Sequence, residues 1–408
     1  MSAERAGDES ERPETSSRAE SQAGLWPLAG YFLKLGTVGF GGPPALVGFM
    51  HRDLVERRAW VDEETYKLAL ALAQIMPGPL AAQTAIAIGY FQAGIVGATL
   101  VGLTFVLPSF LMVVAISALY VAYGGLWWMQ AAFYGIGAAV IAIIAIAAYK
   151  LARSTNKRDP LLWAVFAGLA FVTVWAQAEL AEFFILAGLA VLLARAPPAW
   201  LKARLAFMMA ALPAASDLAL PLLQIAPAPG GSTTEVLIQI LLFFAKAGAF
   251  VFGSGLAIVP FLYQGVVQQF GWLNEHQFVD AVAVAMITPG PVVITVAFIG
   301  YLVAGLGGAT MAAIGIFLPV YILTIVPAPW FKRHRDNAQL RAFVAGATAA
   351  ATGAIAGAVV VLGQRAIYDL PTGAIALASL GLLWRFKLTE PVLVLAAGAA
   401  GLVLWPLR

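Results

Sequence analysis

The sequence predicts an all-α polytopic membrane protein made of two homologous halves with six hydrophobic segments each. Of its 408 residues, 61% are hydrophobic and 11% are charged, whereas about a quarter of the residues in a soluble domain are charged. Apolar stretches long enough to cross a bilayer recur along the chain, and lipid tolerates such stretches as helices. The segment 32–49 also returns at 244–261 with the same spacing of Phe, Lys and Gly. Composition, segment length and duplication together give this fold class.

The hydrophobic segments define a first membrane repeat over 25–195 and a second over 235–408. The segments of the first half are 25–50, 66–94, 95–123, 126–149, 160–178 and 179–195, and those of the second are 235–263, 278–305, 306–330, 341–363, 370–385 and 388–407. Residues 1–24 are polar and of mixed charge, which predicts a disordered tail. Residues 196–234 are rich in Pro and Gly and form either a surface linker or, across 205–226, an extra span.

Loop charges predict that the two repeats are inverted relative to each other. The loop 150–158 is strongly basic and is therefore expected in the cytoplasm, while its counterpart near 364–370 is almost neutral. The loop 332–341 is basic, and its counterpart 123–126 carries no charge. Inversion needs an odd number of crossings per repeat unit. Either the segments that contain Pro-Gly-Pro are re-entrant hairpins, or all six segments cross and the linker adds a span.

Lys34 and Lys246 occupy equivalent positions in the two halves. A lysine among apolar residues is costly unless it faces a cavity or an ion, or unless it snorkels. In snorkelling, the aliphatic part of the side chain extends so that the ammonium group reaches the membrane–water interface. Snorkelling would explain either lysine alone, but the repetition favours a function. We therefore expect both lysines to act as counter-charges for an anion.

A Gly-rich turn follows each lysine. The first turn contains Gly41 and Gly42 before Pro43, and the second contains Gly253 and Ser254. Glycines allow several backbone N–H groups to point into one space, and such concavities bind anions. The alternative is a tight helix crossing that needs small residues. The spacing matches no known nucleotide-binding loop.

Helix breakers lie in the middle of one segment of each half, at Pro77-Gly78-Pro79 and Pro289-Gly290-Pro291. Proline cannot continue a helix, so each segment should split into two half-helices. The second half-helix would present free N–H donors and a partial positive charge near the middle of the membrane. An anion would be stabilised there, although a structural kink alone is the alternative. Nearby polar residues that we expect to add hydrogen bonds are Gln74, Gln83, Thr84, Thr288 and Thr295.

The remaining residue types point to no enzyme, metal site or cofactor. The chain has no cysteine, and its three histidines do not form a metal-ligand pattern. We expect no carboxylate to be buried within a segment. The net charge of +3 is small and does not indicate nucleic-acid binding.

These motifs together resemble the chromate ion transporter family in its long-chain, two-domain form. The residues that carry the resemblance are Phe32, Lys34, Gly36, Phe40-Gly41-Gly42-Pro43, Pro77-Gly78-Pro79 and their second-half counterparts. The resemblance implies a multi-pass protein of the bacterial inner (plasma) membrane that exports chromate and confers chromate resistance, driven by the membrane potential or the proton gradient. In the second copy Ser254-Gly255 replaces Gly42-Pro43, so the two half-sites are expected to differ.

Three alternatives stay open beside chromate export: uptake of sulfate or another oxyanion, an anion channel, and a structural membrane protein. The partners that we expect are a chromate-like or sulfate-like oxyanion and the lipid bilayer. Formation of a homodimer is left open.

The membrane potential alone favours the exit of a dianion from a cell that is negative inside, by about 2.3 kcal/mol per charge per 100 mV. Export would then need no acid that carries protons.

Overall fold

The computed structural model describes residues 24–40, 42–123, 126–176, 182–197, 233–250, 255–334, 337–386 and 388–405. The predicted tail and nearly all of the predicted linker, including 205–226, lie outside the described residues. Across the described part of the chain the structure is helical and contains no strand, which confirms the predicted all-α class.

The helices follow the predicted segments, with breaks at the Gly-rich and Pro-Gly-Pro motifs. The first half contains α1 (Leu25–Val38), α2 (Gly42–Met50), α3 (Glu63–Ile75), α4 (Leu80–Tyr123), α5 (Trp127–Asn156), α6 (Pro160–Ala176) and α7 (Glu182–Arg195). The second half contains α8 (Thr233–Phe250), α9 (Val259–Tyr263), α10 (Glu275–Ile287), α11 (Thr295–Ile325), α12 (Ala328–His334), α13 (Ala338–Ala366), α14 (Leu370–Arg385) and α15 (Glu390–Leu404).

Five helical stretches are long and apolar enough to cross a membrane. They are Leu80–Tyr123, Trp127–Asn156, Thr233–Phe250, Val292–Lys332 and Ala338–Ala366. Shorter apolar helices accompany them at Pro160–Trp175, Phe183–Arg195, Leu370–Arg385 and Glu390–Leu404. The chain is therefore a multi-pass membrane protein.

The predicted segment 66–94 is a helical hairpin. Its first arm, α3, has 13 residues and is about 20 Å long at 1.5 Å per residue, whereas the hydrocarbon core of a bilayer is about 30 Å thick. The amide Nε2 of Gln92 donates to the carbonyl oxygen of Trp60 at 3.4 Å, so the two ends of the hairpin lie side by side. This geometry favours the re-entrant arrangement over a full crossing.

Both halves share a sharp bend at the end of this hairpin. The φ/ψ angles are −145°/30° at Ala93 and 58°/−146° at Gly94. They are −145°/34° at Ala304 and 58°/−148° at Gly305. A positive φ of this kind favours glycine. The helical arms on either side of each bend touch through glycine pairs, where a Cβ on one glycine would overlap the carbonyl of the other: Gly89 with Gly97 and Gly300 with Gly308.

Equivalent helices of the two halves pack against each other and run antiparallel. Helix α4 packs on α11, and α5 packs on α13. Thr99, near the bend of α4, and Tyr321, near the end of α11, are joined by a hydrogen bond of 2.6 Å between their hydroxyl oxygens. Met129 at the start of α5 and Ala366 at the end of α13 line the same cavity. Inverted repeats require this antiparallel pairing.

Candidate functional site

The Pro-Gly-Pro tip of the second half meets the end of α1 in the first half. The N–H of Gly290 donates to the carbonyl oxygen of Gly39 at 2.9 Å. The hydroxyl of Ser109 in α4 donates to the carbonyl oxygen of Gly36 at 3.3 Å. These four residues, Gly36, Gly39, Ser109 and Gly290, are named the tip junction below. It brings together backbone polar groups from both halves.

The tip junction is packed so closely that only glycine fits at two of its positions. Gly290 has φ +94°, and a Cβ there would overlap the Ser109 hydroxyl. A Cβ at Gly36 would overlap the carbonyl oxygen of Phe105. Ser109 itself is fully buried. The junction is therefore a closed contact in this conformation.

The Pro-Gly-Pro tip of the first half is held by Gln83. Its amide Nε2 donates to the carbonyl oxygen of Pro77 at 2.8 Å. Gly78 has φ +144°, and a Cβ there would contact the Gln83 side chain. Among the described residues the Oε1 atom of Gln83 is buried without a hydrogen-bond partner. Gln83 thus fixes the turn and leaves one free acceptor beside it.

The threonines predicted to bind substrate use their hydroxyl protons within their own helices. The hydroxyl of Thr84 donates to the carbonyl oxygen of Leu80 at 2.7 Å, and the hydroxyl of Thr288 donates to the carbonyl oxygen of Val284 at 3.0 Å. Thr295 donates to the carbonyl oxygen of its neighbour Val292 at 2.8 Å. All three are buried beside the tips. Gln74, by contrast, is exposed near the end of α3. Their contact with substrate stays a prediction.

The two lysines differ in their surroundings. Lys34 lies on the exposed face of α1, while Phe32 and Gly36 on the opposite face are buried against the rest of the protein. Lys246 is partly buried in α8. Neither lysine belongs to the tip junction. Their role as counter-charges stays a prediction, and the structure shows unequal positions.

The first Gly-rich turn is described in part. Gly42 has φ +72°, and an added Cβ would lie 3.8 Å from a carboxylate oxygen of Glu390. Pro43 is partly buried in the first turn of α2. Three of the predicted site residues, Gly41, Gly253 and Ser254, lie outside the described residues.

The expectation that no carboxylate is buried within a segment is wrong. Asp280 in α10 is partly buried, and its Oδ2 atom accepts a hydrogen bond of 2.7 Å from the hydroxyl of Tyr120 in α4. Glu390 at the start of α15 is partly buried as well. The signal for Asp280 was present in the sequence, because the equivalent residue of the first half is the apolar Leu68.

The base of the first hairpin is a network of exposed charges. His51 lies between Glu56 and Glu63, at 3.0 and 2.8 Å from their carboxylate oxygens. The hydrogen bond from His51 lowers the pKa of the Glu63 carboxyl, with Lys67 contributing in the same direction. The N–H of Thr65 lowers the pKa of Asp62, which caps α3. This network is structural and exposed to water.

The sequence of both halves matches one family of membrane transporters. The match to the family described as Chromate transporter covers residues 26–211 and 238–402. The chain belongs to the chromate transporter family. This confirms the resemblance drawn from the motifs, and it places the chain among multi-pass transporters of the plasma membrane.

Relatives within the chromate transporter family match over almost their whole length. A "Chromate transport protein" of Cupriavidus metallidurans is 58% identical over 94% of both chains. A "Probable chromate transport protein" of Synechococcus elongatus is 56% identical over 93% of this chain and 96% of its own. A "Chromate transport protein" of Pseudomonas aeruginosa is 31% identical over 98% of this chain and 99% of its own. No solved structure matches this chain.

Proposed function

We propose that this protein is a secondary transporter that exports chromate across the plasma membrane and thereby confers chromate resistance. The observation that carries the proposal is the match of both halves to the chromate transporter family, with relatives at 58% and 56% identity whose names state chromate transport. The direction of transport and the resistance are our extension of that observation.

The tip junction is the proposed place where the oxyanion crosses the middle of the protein. Its polar atoms are backbone groups and one hydroxyl, and no carboxylate belongs to it. Separation of the second tip from α1 would free the N–H of Gly290, which now binds Gly39. The first N–H groups of the half-helix that follows the second tip also lack acceptors within the helix. Such donors stabilise an anion.

Energy for export would come from the membrane potential. Each negative charge that leaves a cell with a negative interior gains about 2.3 kcal/mol per 100 mV. Chromate carries two charges at neutral pH, so a potential of ordinary size supports a large outward gradient without ATP.

The test is flux of labelled chromate in proteoliposomes with an imposed potential. We expect saturable chromate movement toward the positive side, inhibited by competing sulfate less than by unlabelled chromate. Cells that express the protein should also survive higher chromate concentrations than cells with the empty vector. Accumulation of sulfate without any change in chromate tolerance would contradict the export proposal. Single-channel currents in place of saturable counterflow would favour an anion channel.

A further inference from the structure

A polar cavity of about 370 Å³ lies beside the second hairpin, away from the tip junction. The starts of α5 and α10 and the ends of α4, α13 and α15 surround it. Its wall includes Gln130, His276, Gln277, Asp280 and Tyr368. Since a water molecule in the liquid occupies about 30 Å³, the cavity has room for several waters. Asp280 is therefore reached by solvent despite its position in a hydrophobic segment.

Among the described residues around this cavity, Asp280 differs from the other two carboxylates in that it neither forms an ion pair nor caps a helix. Glu275 forms an ion pair with Arg365 and accepts a hydrogen bond of 3.0 Å from Tyr263. Asp369 caps α14 by accepting the N–H of Thr372 at 2.8 Å. Asp280 accepts one hydrogen bond, from Tyr120, and forms no ion pair with any basic side chain that the structure describes.

The duplication provides an internal comparison for the Tyr120–Asp280 pair. The equivalent residues of the other copy are Phe331 and Leu68, which are buried in one hydrophobic cluster. Two apolar side chains, one from each half, thus occupy these positions at the equivalent interface. Burying a carboxylate instead costs free energy unless a proton or a counter-charge compensates it. The second half therefore carries a chemical group that packing does not require.

Helix α4 touches the second hairpin at two levels. Tyr120 binds Asp280 in the second turn of α10, and Ser109 contacts Gly290 at the tip. Eleven residues separate the two α4 positions, which corresponds to about 16 Å along a helix. Movement of the hairpin away from α4 would disturb both contacts together. A change of charge at Asp280 is thereby linked mechanically to the tip junction.

We propose that Asp280 is a proton-binding site through which proton entry is coupled to anion transport. A proton from water in the cavity binds to the Asp280 carboxylate, gives a neutral carboxylic acid, and leaves as a proton to the other side when the hairpin has moved. The other titratable or charged groups that face this site are Tyr120, Tyr134, Glu275, His276, Arg365, Tyr368 and Asp369. The inference rests on the anion transport proposed above.

The first experiment measures chromate flux and internal pH together in proteoliposomes whose potential is clamped. Wild-type protein should move protons opposite to chromate, and an acidic exterior should accelerate export. The double variant Tyr120→Phe/Asp280→Leu copies the Phe331–Leu68 pair, so its packing is already realised once in this protein. Its proton movement should fall to the level of protein-free liposomes, and its chromate flux should lose the response to a pH gradient.

Glu275→Gln on the same helix is the matched control, and it should keep proton movement with chromate. The proposal fails if the double variant moves protons with chromate as wild type does. Asp280→Asn is tested beside it, since it keeps the size of the side chain and removes only its ability to ionise. Proton movement that persists in both variants would also overturn the inference.

A second readout is independent of transport. Infrared difference spectra between about pH 6 and alkaline pH report the carbonyl band of a carboxyl group that stays protonated above the ordinary pKa of exposed Asp and Glu. The band should appear in wild type and in Glu275→Gln and be missing in Asp280→Asn. A band that is unchanged in Asp280→Asn overturns the proton site even if chromate is transported. A band that depends on Asp280, in a protein without chromate flux, overturns the proposed function instead.

Discussion

Individual residues of the tip junction are constrained by backbone conformation and by space at once. Gly290 combines a φ of +94° with a Cβ direction that points at Ser109. Only glycine adopts this conformation at low cost. Ser109 is buried among apolar residues, yet its hydroxyl binds Gly36. A small change at either residue acts on both halves of the protein.

Replacement of Gly290 by Ala should reduce chromate transport to background. The added Cβ would overlap the Ser109 hydroxyl, so either Ser109 must give up its hydrogen bond to Gly36 or the tip must move away from α4. Gly271→Ala is the matched control, because Gly271 has φ +61° with open space around the Cβ position, so it imposes similar backbone strain without a clash. Transport is compared in proteoliposomes at equal protein content. Equal activity of the two variants would contradict the role of the junction.

The two lysines should respond unequally to removal of their charge. Lys246 is partly buried and Lys34 is exposed, and the effect of a charge on a bound anion grows as water is excluded. Lys246→Met should therefore lower chromate transport more than Lys34→Met. The initial rate at low chromate concentration is the measurement. A larger loss in Lys34→Met would point to a substrate path along the exposed face of α1.

The bent hairpin is the element that both halves repeat most faithfully. The backbone angles of the two bends agree within 4°, although the surrounding side chains differ. Each bend turns the chain from a half-helix into a full span, and a glycine pair lets the two arms touch. The sharp change of direction thus depends on backbone geometry rather than on particular side chains.

Gly94→Ala and Gly305→Ala should destabilise the protein by similar amounts, of about 1–3 kcal/mol each, because a residue with a Cβ is strained at these angles. Space is no obstacle, since nothing lies near either Cβ position. Gly30→Ala, in the exposed interior of α1 with open space around it, is the control and should be neutral or slightly stabilising. Thermal unfolding in detergent measures the three variants. Different losses at the two bends would show that their surroundings, not their angles, dominate.

The positions of the helix breaks could be predicted from the sequence, but the hairpins and the contacts between helices could not, for physical reasons. The Pro-Gly-Pro motifs predicted the breaks after Ile75 and Ile287 because proline excludes a continuous helix. Hydropathy could not decide between a span and a hairpin, since both are apolar. The contact of Ser109 with Gly36 joins residues 73 positions apart, and no local pattern encodes it.

The whole molecule is held together by antiparallel pairing of equivalent helices. The pairs α4–α11 and α5–α13 join the two halves, and the largest buried cluster contains residues of both. The inverted orientation of the two repeats, expected from loop charges, stays a prediction that the labelling experiment below tests. Comparison of the two halves in the sequence would also have exposed Asp280 against Leu68, which single-segment reasoning missed.

Cysteine labelling should place the bases of the two hairpins on opposite sides of the membrane. Glu64 and His276 are equivalent, exposed residues at the start of α3 and α10, and the chain has no native cysteine. A membrane-impermeant maleimide added to intact cells should label His276→Cys and not Glu64→Cys. Everted vesicles should give the reverse pattern. Labelling of both variants from one side would contradict the inverted arrangement.

The tip junction also bears on how far the two copies have diverged. Ser109 of the first half corresponds to Val320 of the second, and a valine has no hydroxyl to donate. The contact that Ser109 makes has therefore no counterpart made by Val320. A chain assembled from two copies of either half would lose this asymmetry or duplicate it. The two homologous halves therefore contribute different side chains at equivalent positions, and one half cannot replace the other at this contact.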